Sequence, residues 1–309
     1  MHSLVALRSA VRAHLEKYSA GDLIVVAVSG GADSLALAYA TYFEAEKLAL
    51  KVLGVTIDHQ LQENSAAQAL LVTQQLKFEC KIVKVNVEVT DGMEASARRA
   101  RYKALDNFAE ENKAVAIFLG HTKDDQAETV LLGLARGSGA RSLSGMAPVN
   151  GLYVRPFLDI TRKETVAACE EINLQPWSDP HNDDDSFLRV KARKNVLPVM
   201  ERELGPGISD ALVRSAQLLR DDADALDQMA KDFWRADNSL NVDALAKLPK
   251  AIRTRVLRIA AFESGISQLS ADQVGAVEAL ISNWKGQGEV SWPSGVKVSR
   301  ISGRLTLSK

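Results

Sequence analysis

Cysteine is nearly absent: Cys80 and Cys169 are the only two in 309 residues, far apart and outside any Cys-x-x-Cys pair. They supply neither a disulfide framework nor a zinc or iron–sulfur motif, and such sparse usage fits a reducing compartment. No uninterrupted apolar run approaches the about 18 residues of a membrane span. The first eighteen residues interleave charges with apolar positions and read as an amphipathic helix, not a secretion signal. The expectation is therefore a cytoplasmic protein with no membrane partner. Internal repeats and low-complexity segments are lacking too. The length suffices for one large and one small domain, with a core that needs no disulfide. Net charge is only −1, yet residues 242–309 carry +5 and the remainder −6. That basic portion is compatible with a nucleic-acid partner, although a solvated helical face gives the same pattern.

Short apolar runs at 23–28, 51–57, 81–89, 114–119 and 152–157 are rich in Val, Ile and Leu, as in strands covered on both faces. Helical patterns lie between them at 33–47, 65–77, 94–111, 124–135 and 161–173. Ser65 with Gln68, and Thr161 with Glu164, have capping-box spacing. This alternation predicts an α/β fold: a doubly wound, mostly parallel sheet with helices on both faces. Gly205-Pro206-Gly207 punctuates the chain, and a boundary is placed there, giving domains 1–205 and 206–309. The second is expected to be smaller and mainly helical: one helix over 208–236, others near 242–264 and 270–284, and a short closing β-hairpin turning at 301–304.

Neither a Gly-Lys-Ser/Thr phosphate loop nor Gly-x-Gly-x-x-Gly occurs at the first strand. What stands there is Ser29-Gly30-Gly31-Ala32-Asp33-Ser34, directly between an apolar run and a helix. Two glycines let the backbone turn sharply and approach a phosphate closely, with successive N–H groups aimed at it. The helix N-terminus adds about half a positive charge. The hydroxyls of Ser29 and Ser34 can donate to phosphate oxygens. A carboxylate beside a phosphate needs an intervening cation, so Asp33 is assigned to Mg2+; the alternative is a helix-start acid satisfied by the dipole.

The string resembles the pyrophosphate loop of ATP-dependent adenylating enzymes, implying ATP cleavage between the α- and β-phosphates. Four more stretches narrow the resemblance: Asp58-His59-Gln60-Leu61; Glu94-x-x-Ala97-Arg98-x-x-Arg101-Tyr102; Gly120-His121-Thr122-Lys123-Asp124-Asp125-Gln126-Ala127-Glu128-Thr129; and Phe187-x-Arg189-x-x-x-Arg193. Together they resemble the tRNA(Ile)-lysidine synthetase family over about residues 20–200. Two positions depart from that pattern: Gln62 stands where the family commonly has Arg, and Val190 where it commonly has Asn. A tRNA 2-thiolation enzyme would need catalytic cysteines, which this chain does not offer.

The resemblance implies ATP and Mg2+ as cofactors, with free L-lysine and a tRNA(Ile) bearing a CAU anticodon as partners. The wobble cytidine is adenylated at its C2 oxygen, lysine attacks C2, and AMP leaves. The expected catalytic residues are Asp33, His121, Asp125, Glu128, Arg101 and Arg193. ATP is assigned to Ser29, Gly30, Gly31, Ala32, Asp33, Ser34, Asp58 and His59. Substrate contacts are assigned to Asp125, Glu128, Arg98, Arg136, Arg189 and Arg253. Asp125 and Glu128, one helical turn apart, offer an anionic berth for the lysine ammonium, and one of them could act as base. His121 could steady the α-phosphate, and Arg101 and Arg193 could act as fixed cationic forks. A metal site from His121 with Asp124 or Asp125 is an alternative, and a helix-face salt network such as Glu94–Arg98 is the bland reading. Lys247, Lys250, Arg253, Arg255, Arg258, Lys297, Arg300 and Arg304 could meet RNA phosphates, whereas Trp177, Trp234, Trp284 and Trp292 are more plausibly packing than stacking residues. Monomer and homodimer both remain open.

Overall fold

The computed structural model describes residues 2–60, 65–87, 92–137, 139–178, 184, 186–237, 239–266 and 268–309. It divides into two compact units, 1–217 and 218–309. The division falls inside a long helix, twelve residues beyond the boundary expected at 205, because that helix runs unbroken from Ile208 to Ala236.

In the first unit, α1 (His2–Leu15) precedes β1 (Leu23–Ala27), α2 (Ala32–Lys47), β2 (Lys51–Asp58), α3 (Ser65–Gln74) and β3 (Cys80–Lys84). Then come α4 (Met93–Glu111), β4 (Ala116–Phe118), α5 (Lys123–Ala135), α6 (Ala140–Leu143), β5 (Val149–Asn150), β6 (Tyr153–Val154) and α7 (Arg162–Glu171). The strand order is β3-β2-β1-β4-β6-β5, parallel throughout except for β5 against β6. The predicted mostly parallel sheet is thus observed, with its fifth run shortened to two residues and turned back on the antiparallel β5. The third predicted run begins as β3, while residues 88 and 89 lie outside the described residues.

Strand alternation explains the two covered faces. Ile24 and Val26 point into a core with Leu7, Val11, Leu35, Phe118 and Phe157. Their neighbour Val25 points the other way, joining Leu53, Val55, Leu105, Phe108 and Ile117 under α4. The chain leaves β1 toward β2 and β3 on one side, then crosses to β4 and β6 on the other. The crevice between the carboxyl ends of β1 and β4 is therefore the switch point, where open parallel sheets bind ligands. Past β6, α7 starts on the predicted capping box: Glu164 N–H donates to the Thr161 hydroxyl, and Thr161 N–H to the Glu164 carboxylate.

A last helical run closes this unit: α8 (Leu188–Lys191), one π turn (Ala192–Val196) and α9 (Leu197–Glu203). The helix over 208–236, α10, follows and passes into the second unit.

The second unit continues with α11 (Val242–Ala246), α12 (Lys250–Glu263) and α13 (Ala271–Ser282), the last on its expected Ser270–Gln273 capping box. The single helix predicted over 242–264 is broken at Leu248-Pro249, where proline supplies no N–H to continue it. Strands β7 (Val290–Ser291), β8 (Lys297–Ile301) and β9 (Arg304–Ser308) form a small antiparallel sheet. Ile301 pairs with Arg304, and both turn residues, Ser302 and Gly303, have positive φ, the two-residue hairpin that matches strand twist. The unit has its own core of Leu245, Ile252, Val256, Leu257, Val277 and Trp292.

Candidate active site at the switch point

Val28 ends the β1 run and Ser29 opens the loop. The Ser34 hydroxyl lies 3.2 Å from that of Ser29, accepts from Ser29 N–H at 3.1 Å and donates to the Gly31 carbonyl at 3.0 Å. These bonds fold the loop into a closed turn. Gly30 has φ of +89°, and a Cβ there would come within 2.6 Å of Val72. Gly120, just after β4, is as constrained: a Cβ would lie 3.0 Å from the backbone of Asp33 and Ser34. Any larger residue at 120 would push the phosphate loop away from β4.

Asp33 sits in the first turn of α2. Its Oδ1 accepts a short hydrogen bond from the Thr165 hydroxyl, and its Oδ2 accepts from Arg162 Nε at 3.2 Å. Burial pushes this carboxyl above its ordinary value, against the pull of Arg162 and Thr165. Asp125 lies across the crevice at the start of α5. Its Oδ2 accepts Thr122 N–H at 2.9 Å and the Thr122 hydroxyl at 3.0 Å, a capping box that sequence spacing had not suggested. Its Oδ1 accepts from Arg162 Nη2 at 3.3 Å. Burial alone would raise this carboxyl, but Arg162, the Thr122 N–H and its other basic neighbours hold it below its ordinary value.

Glu128, one turn along α5, is fully buried. Arg193 closes on it as a two-pronged fork, Nε at 2.6 Å and Nη2 at 3.1 Å, with Arg189 Nη1 at 3.7 Å. Arg193 rides on the π turn, a widened turn often found at functional sites. Burial depresses this guanidinium, yet the bonds and charge of Glu128 hold it above its ordinary value. The expected lysine berth is therefore half closed. Glu128 spends both oxygens on Arg193, and the Asp125 oxygen on the crevice side is met by Arg162 at 3.3 Å, with Arg193 at 3.7 Å and Arg189 at 4.0 Å.

Arg101, His121 and Arg155, with Asp58 and His59 at the end of β2, each bury a polar atom that has no partner: Arg101 Nε, His121 Nδ1, His59 Nδ1, Asp58 Oδ2 and Arg155 Nε. Such a concentration of unsatisfied groups is costly and is what a polar ligand would relieve. Burial, reinforced by Arg101, Arg155 and Arg189, pushes the His121 imidazole down to about 3. It is therefore neutral at physiological pH and acts through hydrogen bonding, without positive charge. Histidine NMR of the unliganded protein should show no titration of His121 between pH 5 and 8; a midpoint near the ordinary value of 6.5 would contradict this placement.

Other predicted residues fall elsewhere. Arg98 is exposed beside Tyr102, its Nη2 3.4 Å from the phenol oxygen. Arg136 caps the far end of α5, about 16 Å along the helix from Asp125 at 1.5 Å per residue. Arg253 is turned inward: its guanidinium donates to Glu278 and to the carbonyls of Leu248 and Ala246, leaving its side chain only 12% exposed. It ties α12 to α13 and to the end of α11, an internal role that competes with its expected RNA contact. Val190 is buried and apolar, so no polar role resides there. Residues 61–64, the Glu94 side chain and Asp183 and Asp185 lie outside the described residues, and with them the Gln62 departure and the Glu94–Arg98 pair. Trp292 is core, and Trp177 donates its backbone N–H to the Gly30 carbonyl at 2.9 Å. Sequence reasoning missed Arg155 and Arg162, both in the stretch joining β6 to α7; only their position after a strand end could have flagged them.

A divalent cation finds a fitting position between Asp33 and Asp125, whose oxygens already converge on one cationic group. Among the described residues no cluster of three or more His, Cys, Asp or Glu could hold a metal unaided. That matches Mg2+ held by one or two carboxylates together with substrate phosphates. Asp124, by contrast, accepts Arg162 N–H at 2.8 Å and serves as a helix cap.

A phosphate loop ending β1, a tight glycine contact with β4 and acids facing half-buried arginines across the switch point define a class. Residues 6–200 match the family model described as PP-loop domain, and residues 240–306 match the one described as TilS substrate binding domain. The fold is similar to that of the U34-tRNA thiolase NcsA from Methanococcus maripaludis, with a TM-score of 0.58 and 18% identity over 71% of this chain and 80% of that one. The chain is a member of the PP-loop class of ATP-using enzymes. It is 49% identical to the tRNA(Ile)-lysidine synthase of Thermobifida fusca, covering 98% of this chain and 96% of the relative. With that of Streptomyces coelicolor the identity is 47%, covering 92% and 85%, and with that of Nocardia farcinica 40%, covering 98% of each. The chain belongs to the tRNA(Ile)-lysidine synthase family. Among the described residues no helix is long and apolar enough to cross a membrane.

Proposed function

We propose that this enzyme joins free L-lysine to C2 of the wobble cytidine in a tRNA(Ile) with a CAU anticodon, using ATP. The observation that carries the reading is the meeting of a closed phosphate loop with the Asp33–Asp125 carboxylates and the unsatisfied Arg101 and His121 in one crevice. First the cytidine C2 oxygen attacks the α-phosphorus, the bond to the β-phosphate breaks, and pyrophosphate leaves. A lysine amine then attacks C2, the C2–oxygen bond breaks, AMP departs, and the amine proton passes to a base.

Each residue has a task suited to its surroundings. Loop N–H groups, with the Ser29 and Ser34 hydroxyls, receive the outer phosphates. Asp33 would hold Mg2+, which neutralises the departing pyrophosphate. Neutral His121 and the buried Arg101 are placed to donate to the α-phosphate as charge develops. Asp58 and His59, at the end of β2, face the nucleotide. Asp125 and Glu128 together supply the negative field for the lysine ammonium, their oxygens being held by Arg162 and by the Arg193 fork in the unliganded site. Glu128 and Arg193 position the α5 face, with Arg189 beside them.

The test is pyrophosphate release from ATP by the full chain. It should require tRNA, and AMP formation should require lysine as well; AMP formation that ignores the amino acid would discard the lysine step.

The second unit is assigned to the RNA. Several of its basic residues are engaged internally: Arg255 with Asp227 at 2.6 Å, Arg258 with the Leu269 carbonyl at 2.8 Å, and Arg300 with the Leu280 carbonyl at 2.9 Å. Lys297 pairs with Glu289. Lys247, Lys250 and Arg304 are exposed. Replacing Lys247 or Lys250 by alanine should weaken tRNA binding and lower the salt slope of log K by about 0.7–0.9 each. Arg253→Ala should lower stability and leave the slope alone. Filter binding across a salt series distinguishes the two, and an Arg253 variant with a reduced slope would restore its RNA assignment.

A further inference from the structure

Arg162 is the first residue of α7, where the helix dipole disfavours a cation, yet its side chain reaches back to two acids from distant parts of the chain. Its Nε and Nη2 lie 3.2 Å and 3.3 Å from one oxygen each of Asp33 and Asp125. Charge-assisted bonds usually close to about 2.7–2.9 Å, so this is a loose clasp. Nearby Arg193 grips Glu128 at 2.6 Å. The Arg162 side chain is also 32% exposed and has a route to solvent. Its backbone, by contrast, is fixed: its N–H donates to Asp124 at 2.8 Å, and its carbonyl accepts from the Thr165 hydroxyl at 2.8 Å. That same hydroxyl holds the other oxygen of Asp33. The base of the residue is thus anchored to both acidic segments while its head is held weakly.

We propose that Arg162 is a positioning residue whose guanidinium occupies the place between Asp33 and Asp125 that a divalent cation takes when nucleotide arrives. Without it Asp33 would lose its close cationic partner, Asp125 would keep only Arg193 at 3.7 Å and Arg189 at 4.0 Å, and the two carboxylates would turn apart. With it they stay converged, and the guanidinium yields to a doubly charged ion. This deepens the functional reading given above, on which the cation's role rests. Arginine and metal compete for the same oxygens, which sets the proposal apart from a purely structural ion pair: removing the arginine should strengthen metal binding.

The measurement is Mn2+ binding to the nucleotide-free full chain, followed by the paramagnetic signal of unbound Mn2+, with neither tRNA nor lysine present. Arg162→Gln and Arg162→Met, which remove the charge, should each bind Mn2+ roughly tenfold more tightly than the parent; removing a hydrogen-bonded charge competitor has effects of this order. Arg162→Lys, still cationic, should stay within about twofold. Adding Asp33→Asn to Arg162→Gln should abolish the gain. Circular dichroism selects the variants that fold, and two uncharged replacements keep the comparison available. Unchanged or weaker Mn2+ binding in folded uncharged variants overturns the proposal, as does a gain that survives Asp33→Asn. Failure of the lysidine reading would instead appear as pyrophosphate release indifferent to tRNA, or AMP formation indifferent to lysine, whatever the Mn2+ result.

Discussion

Asp33→Ala should reduce ATP-dependent pyrophosphate release by roughly a thousandfold, the scale of losing a group that offsets charge developing in the transition state. The carboxylate stands in the first turn of α2, directly after the loop assigned to the outer phosphates. Burial already disfavours its charge, and Arg162 and Thr165 oppose that tendency. A carboxyl whose charge is disfavoured by burial gains most from an arriving cation, which fits a cation-dependent step better than surface solvation. Alanine also frees Arg162 and Thr165, so Asp33→Asn is the sharper variant because it keeps the shape and a hydrogen-bond acceptor. Both should fold, with melting temperatures within a few degrees of the parent. Quench-flow detection of AMP and pyrophosphate with tRNA and lysine present decides the matter, and normal AMP formation by either variant would remove Asp33 from the chemistry.

The largest stability effect is expected at Arg193→Ala. Glu128 is fully buried, and Arg193 supplies both of its close hydrogen bonds, with Arg189 3.7 Å away. Removing one partner of a buried ion pair strands the other charge and costs about 3–5 kcal/mol. For a unit of this size, that corresponds to a fall in melting temperature of about 6–20 °C. Removing both charges together, as Glu128→Gln with Arg193→Met, should recover most of the stability. Replacing a paired buried charge by neutral groups is often close to neutral. Calorimetry of the two single variants and the double variant tests the pair by a thermodynamic cycle. A double variant as unstable as the sum of the singles would mean that the two residues act independently.

Much of this site could be read from the chain itself because its signals are local. The phosphate loop needs a strand end, two glycines and a helix start within a few residues, and Ser29 to Ser34 supply them consecutively. Apolar runs gave the parallel sheet, since strands covered on both faces have no polar side to interrupt the pattern. What failed to show were partners joined across long loops. Arg162 meets Asp33 over 129 positions, and spacing marked only the adjacent Thr161–Glu164 cap. Glu128 was read as open because the α5 pattern tells which face a residue occupies and nothing of the helix opposite, which carries Arg193. Arg253 looked like one more surface cation until Glu278, 25 residues on, was found beneath it. Charge counts along a sequence do not separate cations facing solvent from those turned into a core.

The glycine at 120 has a mechanical implication. With no side chain there, the β4 end rests against the backbone of Asp33 and Ser34, so no gap can absorb a displacement between them. A ligand drawn toward His121 thus presses on the same backbone that carries the Asp33 carboxylate. The nucleotide side and the base side of the crevice behave as one stiff body, and a single added methyl group would act as a wedge between them.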